Sequence, residues 1–308
     1  MQTYFAPGKI LLAGEYTVLL GMEALAVPVK QGQWLEFFAF STPSNQPRIL
    51  YFKAIDSEGV CWIENKFDLD SQTWENPISD ELESFNKVIS MVPWDFWGDQ
   101  TSYRLETRLE FGRETGLGSS STSIALMSEC FRLDPQKLQE EIFKGSGYDV
   151  AVACLGKPLT FWRNEQGAHF RSWDLQPRLT EDWRVVFLGE KVDSRKSASA
   201  IIDGLETMLS EPFYKQQFER VLHIVRDADN TQSIEAALEM YQLLLAQLLE
   251  MNTPYKQFNL TPVKQGLCKW LGAWGGDMLL VNNTLFEKEL NFFSDFESVR
   301  WNELVKYE

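Results

Sequence analysis

The stretch ETGLGSSSTS, Glu114 to Ser123, packs two glycines, four serines and two threonines into ten residues. It follows a segment of alternating polarity and precedes one of helical composition. Strand, glycines and then helix is an order that exposes a helix N-terminus. There, unpaired N–H groups and the positive end of the dipole attract an anion. Glycines let the backbone approach that anion, and serine hydroxyls add donors or a Mg2+ contact. The ordinary alternative is a helix cap in a polar turn. No Lys follows the second glycine, so the stretch is not G-x-x-x-x-G-K-[ST]. Nor is it G-x-G-x-x-G, which leaves a dinucleotide fold poorly supported.

Three further stretches carry chemistry-bearing residues. PGKILLAGEY (7–16) sets Lys9 and Glu15 around small residues, GSGYDVAVACLG (145–156) puts Asp149 after a flexible turn, and GAWGGD (272–277) is a late glycine loop. Taken singly, Lys9 reads as a surface lysine after a Pro-Gly turn and Asp149 as a helix cap.

Together the four stretches resemble the signature regions of the GHMP kinases, the superfamily of galactokinase, homoserine kinase, mevalonate kinase and phosphomevalonate kinase. P-G-K-x-x-x-x-G-E-[HY] and G-L-G-S-S-[SA] occur in the family's order, and the resemblance spans nearly the whole chain. GEY and GSGYDV are closer to the mevalonate and phosphomevalonate kinase branch than to the sugar kinases. The resemblance implies ATP and Mg2+ as cofactors, with Gly116, Leu117, Gly118, Ser119, Ser120 and Ser121 around the phosphates and Ser120 on the metal. It implies Asp149 as general base at the acceptor hydroxyl and Lys9 beside both. Phosphoryl transfer needs mainly positioning and charge neutralisation, and an alcohol is helped by a carboxylate within hydrogen-bond reach. On the acceptor side it implies Glu15, Tyr16, Lys196, Ser197, Gly275 and Gly276. Glu15 either orients Lys9 or pairs with another cation. Arg195, Lys196 and Ser197 in KVDSRKSASA are candidates for holding a carboxylate or phosphate; a solvated loop is the alternative.

Two departures stand out. Only about thirty residues separate Ser120 from Asp149, a span in which mevalonate kinases carry longer helices and a Mg2+-binding glutamate. Glu140 and Glu141, two of the glutamates in that span, are out of register. The late loop reads KWLGAWGGD, with Leu271 in place of a serine and Trp274 in place of a glycine. The expected activity is phosphorylation of mevalonate or phosphomevalonate. A diphosphomevalonate decarboxylase-like enzyme and a non-catalytic nucleotide-binding protein are the competing readings.

The elements that must position these residues are legible in outline. The 308 residues are 44% hydrophobic and 13% aromatic, enough for buried cores. A net charge of −15 argues against nucleic-acid or anionic-membrane partners. A small-molecule substrate is expected, with a homodimer left open. No leader or long apolar run is read, and Cys61, Cys130, Cys154 and Cys268 read as reduced core thiols of a cytoplasmic protein. Neither His169 nor His223 has a second His or Cys at helical spacing, so no zinc site is expected. KILLAGEYTVLL, EALAVPVKQGQWLEFFAF and RILYFKAID read as strands, and 75–91 as a helix with Ile78, Leu82, Phe85, Val88 and Ile89 on one face. SYRLETRLEF alternates as a half-buried strand. TSIALMSECFRL reads as a helix, and DPQKLQEEIF as another, capped by Asp134 with Pro135 first. GKPLTFW and WRVVFLGE read as strands; 197–210, 213–228, 232–250 and 261–270 as helices; and GAWGGDMLLV as a turn into a strand. The polar stretch 174–182 is the expected domain boundary. This mixture predicts an α+β chain. The resemblance makes it a two-domain GHMP kinase fold: an ATP-binding domain over 1–178 with a left-handed βαβ unit, and a ferredoxin-like C-terminal domain over 179–308.

Overall fold

The computed structural model describes residues 1–307 apart from 143–144, 190–201, 203, 273 and 275–277. Internal contacts divide the chain into two compact units, interleaved in sequence. The first comprises Met1–Gly8, Gln31–Arg113 and Gly118–Cys154; the second comprises Lys9–Lys30, Glu114–Leu117 and Leu155–Glu308. Strands β1 (Gln2–Ala13) and β2 (Ala24–Ser41) therefore contribute to both.

In the first unit, β3 (Ile49–Ile55), β4 (Cys61–Asp68), β5 (Thr73–Trp74), helix α1 (Asp80–Met91) and β6 (Thr101–Leu109) follow in sequence. The strand order is β5-β4-β3-β6-β2. The β3–β6 pair is parallel, so β4, β5 and α1 form the crossover between its strands. Tyr103, Leu105, Thr107 and Leu109 of β6 are all buried, as the alternation requires. Tyr103 and Leu105 pack with α1 and with helices α2 (Ser119–Phe131), α3 (Pro135–Ile142) and α4 (Tyr148–Leu155) around one core. Helix α1 starts later than its periodicity suggests. Ser79 caps it by accepting from the Leu82 N–H at 3.3 Å, which leaves Ile78 outside the helix and exposed. Asp134 caps α3 through the Gln136 N–H at 2.9 Å, with Pro135 in the first position.

In the second unit, Ala24–Ala26 of β2 pair with β7 (Leu159–Asn164), which forms a hairpin with β8 (Gly167–Ser172). A separate antiparallel sheet is built from β9 (Trp183–Phe187), β10 (Cys268–Leu271), β11 (Met278–Asn282) and β12 (Glu297–Arg300). Its spatial order is β10-β11-β9-β12. Two long helices, α5 (Pro212–Asp227) and α6 (Thr231–Leu249), connect β9 to β10, and the helix Asn283–Lys288 lies between β11 and β12. That β-α-β-β-α-β succession in that order is the ferredoxin-like arrangement.

Three sequence expectations are corrected. TVLL of the first segment is a short 3-10 helix, Thr17–Leu20, after β1 has ended. The helix expected over 261–270 is absent from its described residues, because Cys268–Leu271 form β10. Of the four cysteines, all free, Cys130 and Cys268 are buried but Cys61 and Cys154 are exposed. Residues 204–209 are helical, whereas 197–201 and 203 of the expected helix lie outside the described residues. Among the described residues no helix is long and apolar enough to cross a membrane.

Candidate functional site

Within the first unit, the glycine-serine joint opens α2. Gly118 is the N-cap, with φ of +94° and no side chain to cap the first turn. A residue with a Cβ would be strained in this left-handed region, and glycine is not. The Ser121 hydroxyl donates to the Gly118 carbonyl at 2.8 Å, while Ser120 is exposed. Thr122 is buried and donates to Gln33 Oε1 on β2 at 2.7 Å, which pins the helix start to the sheet. Most of α2 beyond Ser120 is buried, including Ile124, Ala125, Leu126 and Met127, so the helix cannot slide without opening the core. Asp149 lies in the first turn of α4, after Gly147 with φ of +90°, and its carboxylate accepts from the Val150 N–H at 3.0 Å. A carboxylate in a first turn is favoured by the helix dipole.

Within the second unit, Lys9 on β1 meets the other end of the joint. Its backbone N–H donates to the Leu117 carbonyl at 2.8 Å and its ammonium donates to the Gly116 carbonyl at 2.9 Å. Gly116 adopts φ of +72°. Lys9 is thereby attached to the glycine loop by both backbone and side chain. The turn after β1 is equally constrained. Gly14 has φ of +111°, and a Cβ there would stand 2.4 Å from that of Ala24.

Glu15 takes the second of its two expected roles. It pairs with Lys269 on β10, and the two side chains are only 2% and 1% exposed. Lys269 also donates to the Trp270 carbonyl at 2.7 Å. Burial pushes the Glu15 carboxyl above its ordinary range, against the pull of the Lys269 ammonium. Tyr16 is buried, and its hydroxyl accepts from the Trp274 N–H at 3.0 Å. The Trp274 indole is 3% exposed and its N–H has no partner among the described residues. Lys196, Ser197, Gly275 and Gly276, with Arg195, lie outside the described residues.

Sequence reasoning quoted Lys269 as the first residue of KWLGAWGGD without giving it a role, and missed Tyr241 on α6. Tyr241 donates to the Glu15 carbonyl at 3.3 Å, and its oxygen is 3.0 Å from Thr17 Oγ1. The available signal was a lysine inside the apolar run LCKWL, since a lysine in a buried strand needs a partner.

The donor set fits an anionic ligand. Gly118 leaves the first turn of α2 without a side-chain cap, and such a turn binds phosphate through backbone N–H groups. A protein-only metal cage is not present: among the described residues no group of three or more His, Cys, Asp or Glu could hold an ion. Mg2+ commonly keeps several waters and is held by one or two protein groups plus substrate phosphates, and Ser120 suits that mode.

No family model matches the sequence, and no curated protein does. Solved structures do match. A Streptococcus pneumoniae phosphomevalonate kinase in complex with phosphomevalonate and AMPPNP is 17% identical, with a TM-score of 0.70 over 97% of this chain and 100% of that one. A mevalonate kinase is 16% identical, with a TM-score of 0.68 over all of both chains. A Lactococcus lactis galactokinase complexed with galactose is 12% identical, with a TM-score of 0.61 over 99% of this chain and 93% of that one. The chain has the GHMP kinase fold.

Proposed function

We propose that this chain is an ATP-dependent small-molecule kinase whose acceptor is mevalonate or phosphomevalonate. The observation that carries the reading is the uncapped, glycine-led start of α2, with Lys9 bonded to the carbonyl of Gly116 in the same loop. The likeness to a phosphomevalonate kinase bound to its acceptor and an ATP analogue supports it. Bound nucleotide and Mg2+ supply the phosphoryl group and part of the charge neutralisation. The N–H groups of Ser119 to Ser121 hold anionic oxygens, and Ser120 offers its hydroxyl to the metal. Asp149 would take the proton of the acceptor hydroxyl as that oxygen bonds to the γ-phosphorus and the bond from that phosphorus to the β-phosphate oxygen breaks to release ADP, and Lys9 would offset the charge that develops.

The test is ADP release with Mg-ATP and, separately, mevalonate, phosphomevalonate and diphosphomevalonate. Turnover with one of the first two is expected. Asp149→Asn is expected to lower it by about 10²–10⁴-fold and leave ATP affinity within a few-fold. A variant keeping more than about a tenth of the rate removes Asp149 as the base. A second reading, nucleotide binding without transfer, is favoured by Trp274, which fills a place where the family has glycine. It predicts a rise in Tm with ATP and no ADP from any acceptor.

A further inference from the structure

We infer that the buried Glu15–Lys269 pair is a positioning device, which fixes Tyr16 so that its hydroxyl sets the backbone of the late loop at Trp274. The effect on turnover rests on the kinase reading above; the geometry does not.

Two charges removed from water lose much of their solvation, and well-packed apolar residues of similar volume often serve stability as well or better. Glu15 and Lys269 are almost wholly buried, and Glu15 Oε2 has no hydrogen-bond partner among the described residues. An arrangement that leaves one carboxylate oxygen unsatisfied is poorly suited to stabilising the fold. Its directionality is what an apolar pair could not reproduce.

The bonds around it show what is being directed. Lys269 is tied to Glu15, and five residues further along the chain Trp274 is tied to Tyr16. Lys269 and Trp274 are thus each fastened to one of two adjacent residues of one turn. That turn is held on each side of Tyr16. Tyr241 donates to the Glu15 carbonyl and pairs with the Thr17 hydroxyl. Between these anchors Tyr16 adopts φ of +61° and ψ of −43°. An L residue with a side chain keeps such a conformation only where its surroundings impose it, and such strain gathers at sites whose geometry matters. Glu15 and Lys269 touch no reacting atom in this scheme. They act through Tyr16.

Two variants test the inference. Glu15→Leu combined with Lys269→Met removes both charges at similar volume, and Tyr16→Phe removes only the last link. Hydrogen exchange of the peptide containing Trp274 reads the loop directly. Steady-state kinetics with the acceptor that the wild type turns over read the consequence. The double variant is expected to keep its Tm within a few degrees, to lose at least tenfold of the exchange protection at Trp274, and to raise the acceptor KM about tenfold with kcat changed less. Tyr16→Phe is expected to show the same loss of protection. Unchanged protection in Tyr16→Phe, or a double variant with wild-type protection and KM, overturns the inference. If the double variant fails to fold, Tyr16→Phe decides alone. Absence of ADP release from the wild type with every acceptor removes the kinase reading and leaves the exchange result to judge the latch.

Discussion

At the scale of single residues, the second unit concentrates its electrostatic risk around Lys269. Changing Lys269 alone to Met strands Glu15 in a site 2% exposed, and breaking a buried pair in this way costs about 3–5 kcal/mol. Denaturant unfolding checks this, and a loss below about 1 kcal/mol would show that Glu15 reaches water in the folded state. Glu239 on α6 behaves differently. Its carboxylate accepts from the Cys268 N–H at 2.9 Å, and burial raises its pKa from the ordinary 4.5 to about 7. The folded chain therefore retains a proton between these pH values that the unfolded chain releases. The stability this proton contributes is complete below pH 4.5 and is lost as pH rises through 7. Glu239→Gln keeps the neutral shape. The Tm of the variant, relative to wild type, is expected to rise by about 5 °C between pH 4.5 and 8. A difference that does not change with pH rejects the shift. The residue scale is also where the sequence was most informative about the site. Lys9, Asp149 and Gly116 to Ser121 stood out because their types and spacing form motifs. Lys269 opens the late motif KWLGAWGGD but drew no role, because a buried charge is recognised by its partner and that partner lies 254 positions away.

At the scale of elements, β10 is an edge strand, and its open backbone is met by side chains rather than by another strand. Gln242 of α6 donates to the Cys268 carbonyl and accepts from the Trp270 N–H, both at 2.8 Å, imitating the ladder of a neighbouring strand. Gln242→Leu fills the same space and leaves both backbone groups buried without partners. The expected loss is about 2–4 kcal/mol in denaturant unfolding, from two desolvated groups. A neutral result would mean that water reaches the edge. The same strand shows why element type was only partly legible. β6 alternates, and α2 and α3 carry their boundaries in Gly118, Asp134 and Pro135, so those were readable from local pattern. Cys268–Leu271 is buried on both faces and has no alternation to separate a strand from a helical stretch. TVLL failed for the opposite reason. Its β-like composition was overridden by the turn that Gly14 and Tyr16 impose.

At the scale of the whole molecule, the fold class followed from motifs more than from composition, since an α+β mixture is compatible with many architectures. What no local pattern could give is the interleaving of the two units. The second unit takes Lys9–Lys30 from near the start of the chain and most of its mass from beyond residue 155. Such long-range closure slows folding, because loop entropy is lost before distant contacts form. For the same kinase-fold chain, ATP at a hundredfold excess over its Kd is expected to raise stability by about 2.7 kcal/mol, read as a Tm increase; no shift at any concentration would remove nucleotide from the proposed function. The Glu15–Lys269 bond also carries a consequence in time. During synthesis from the N-terminus, the carboxylate emerges some 254 residues ahead of the ammonium that balances it. Until then Glu15 has every reason to stay in water, and the turn that bears it has no cause to close. The chain thus contains its own signal of completeness: a ribosome that stops short of residue 269 releases a polypeptide whose first motif cannot bury its charge.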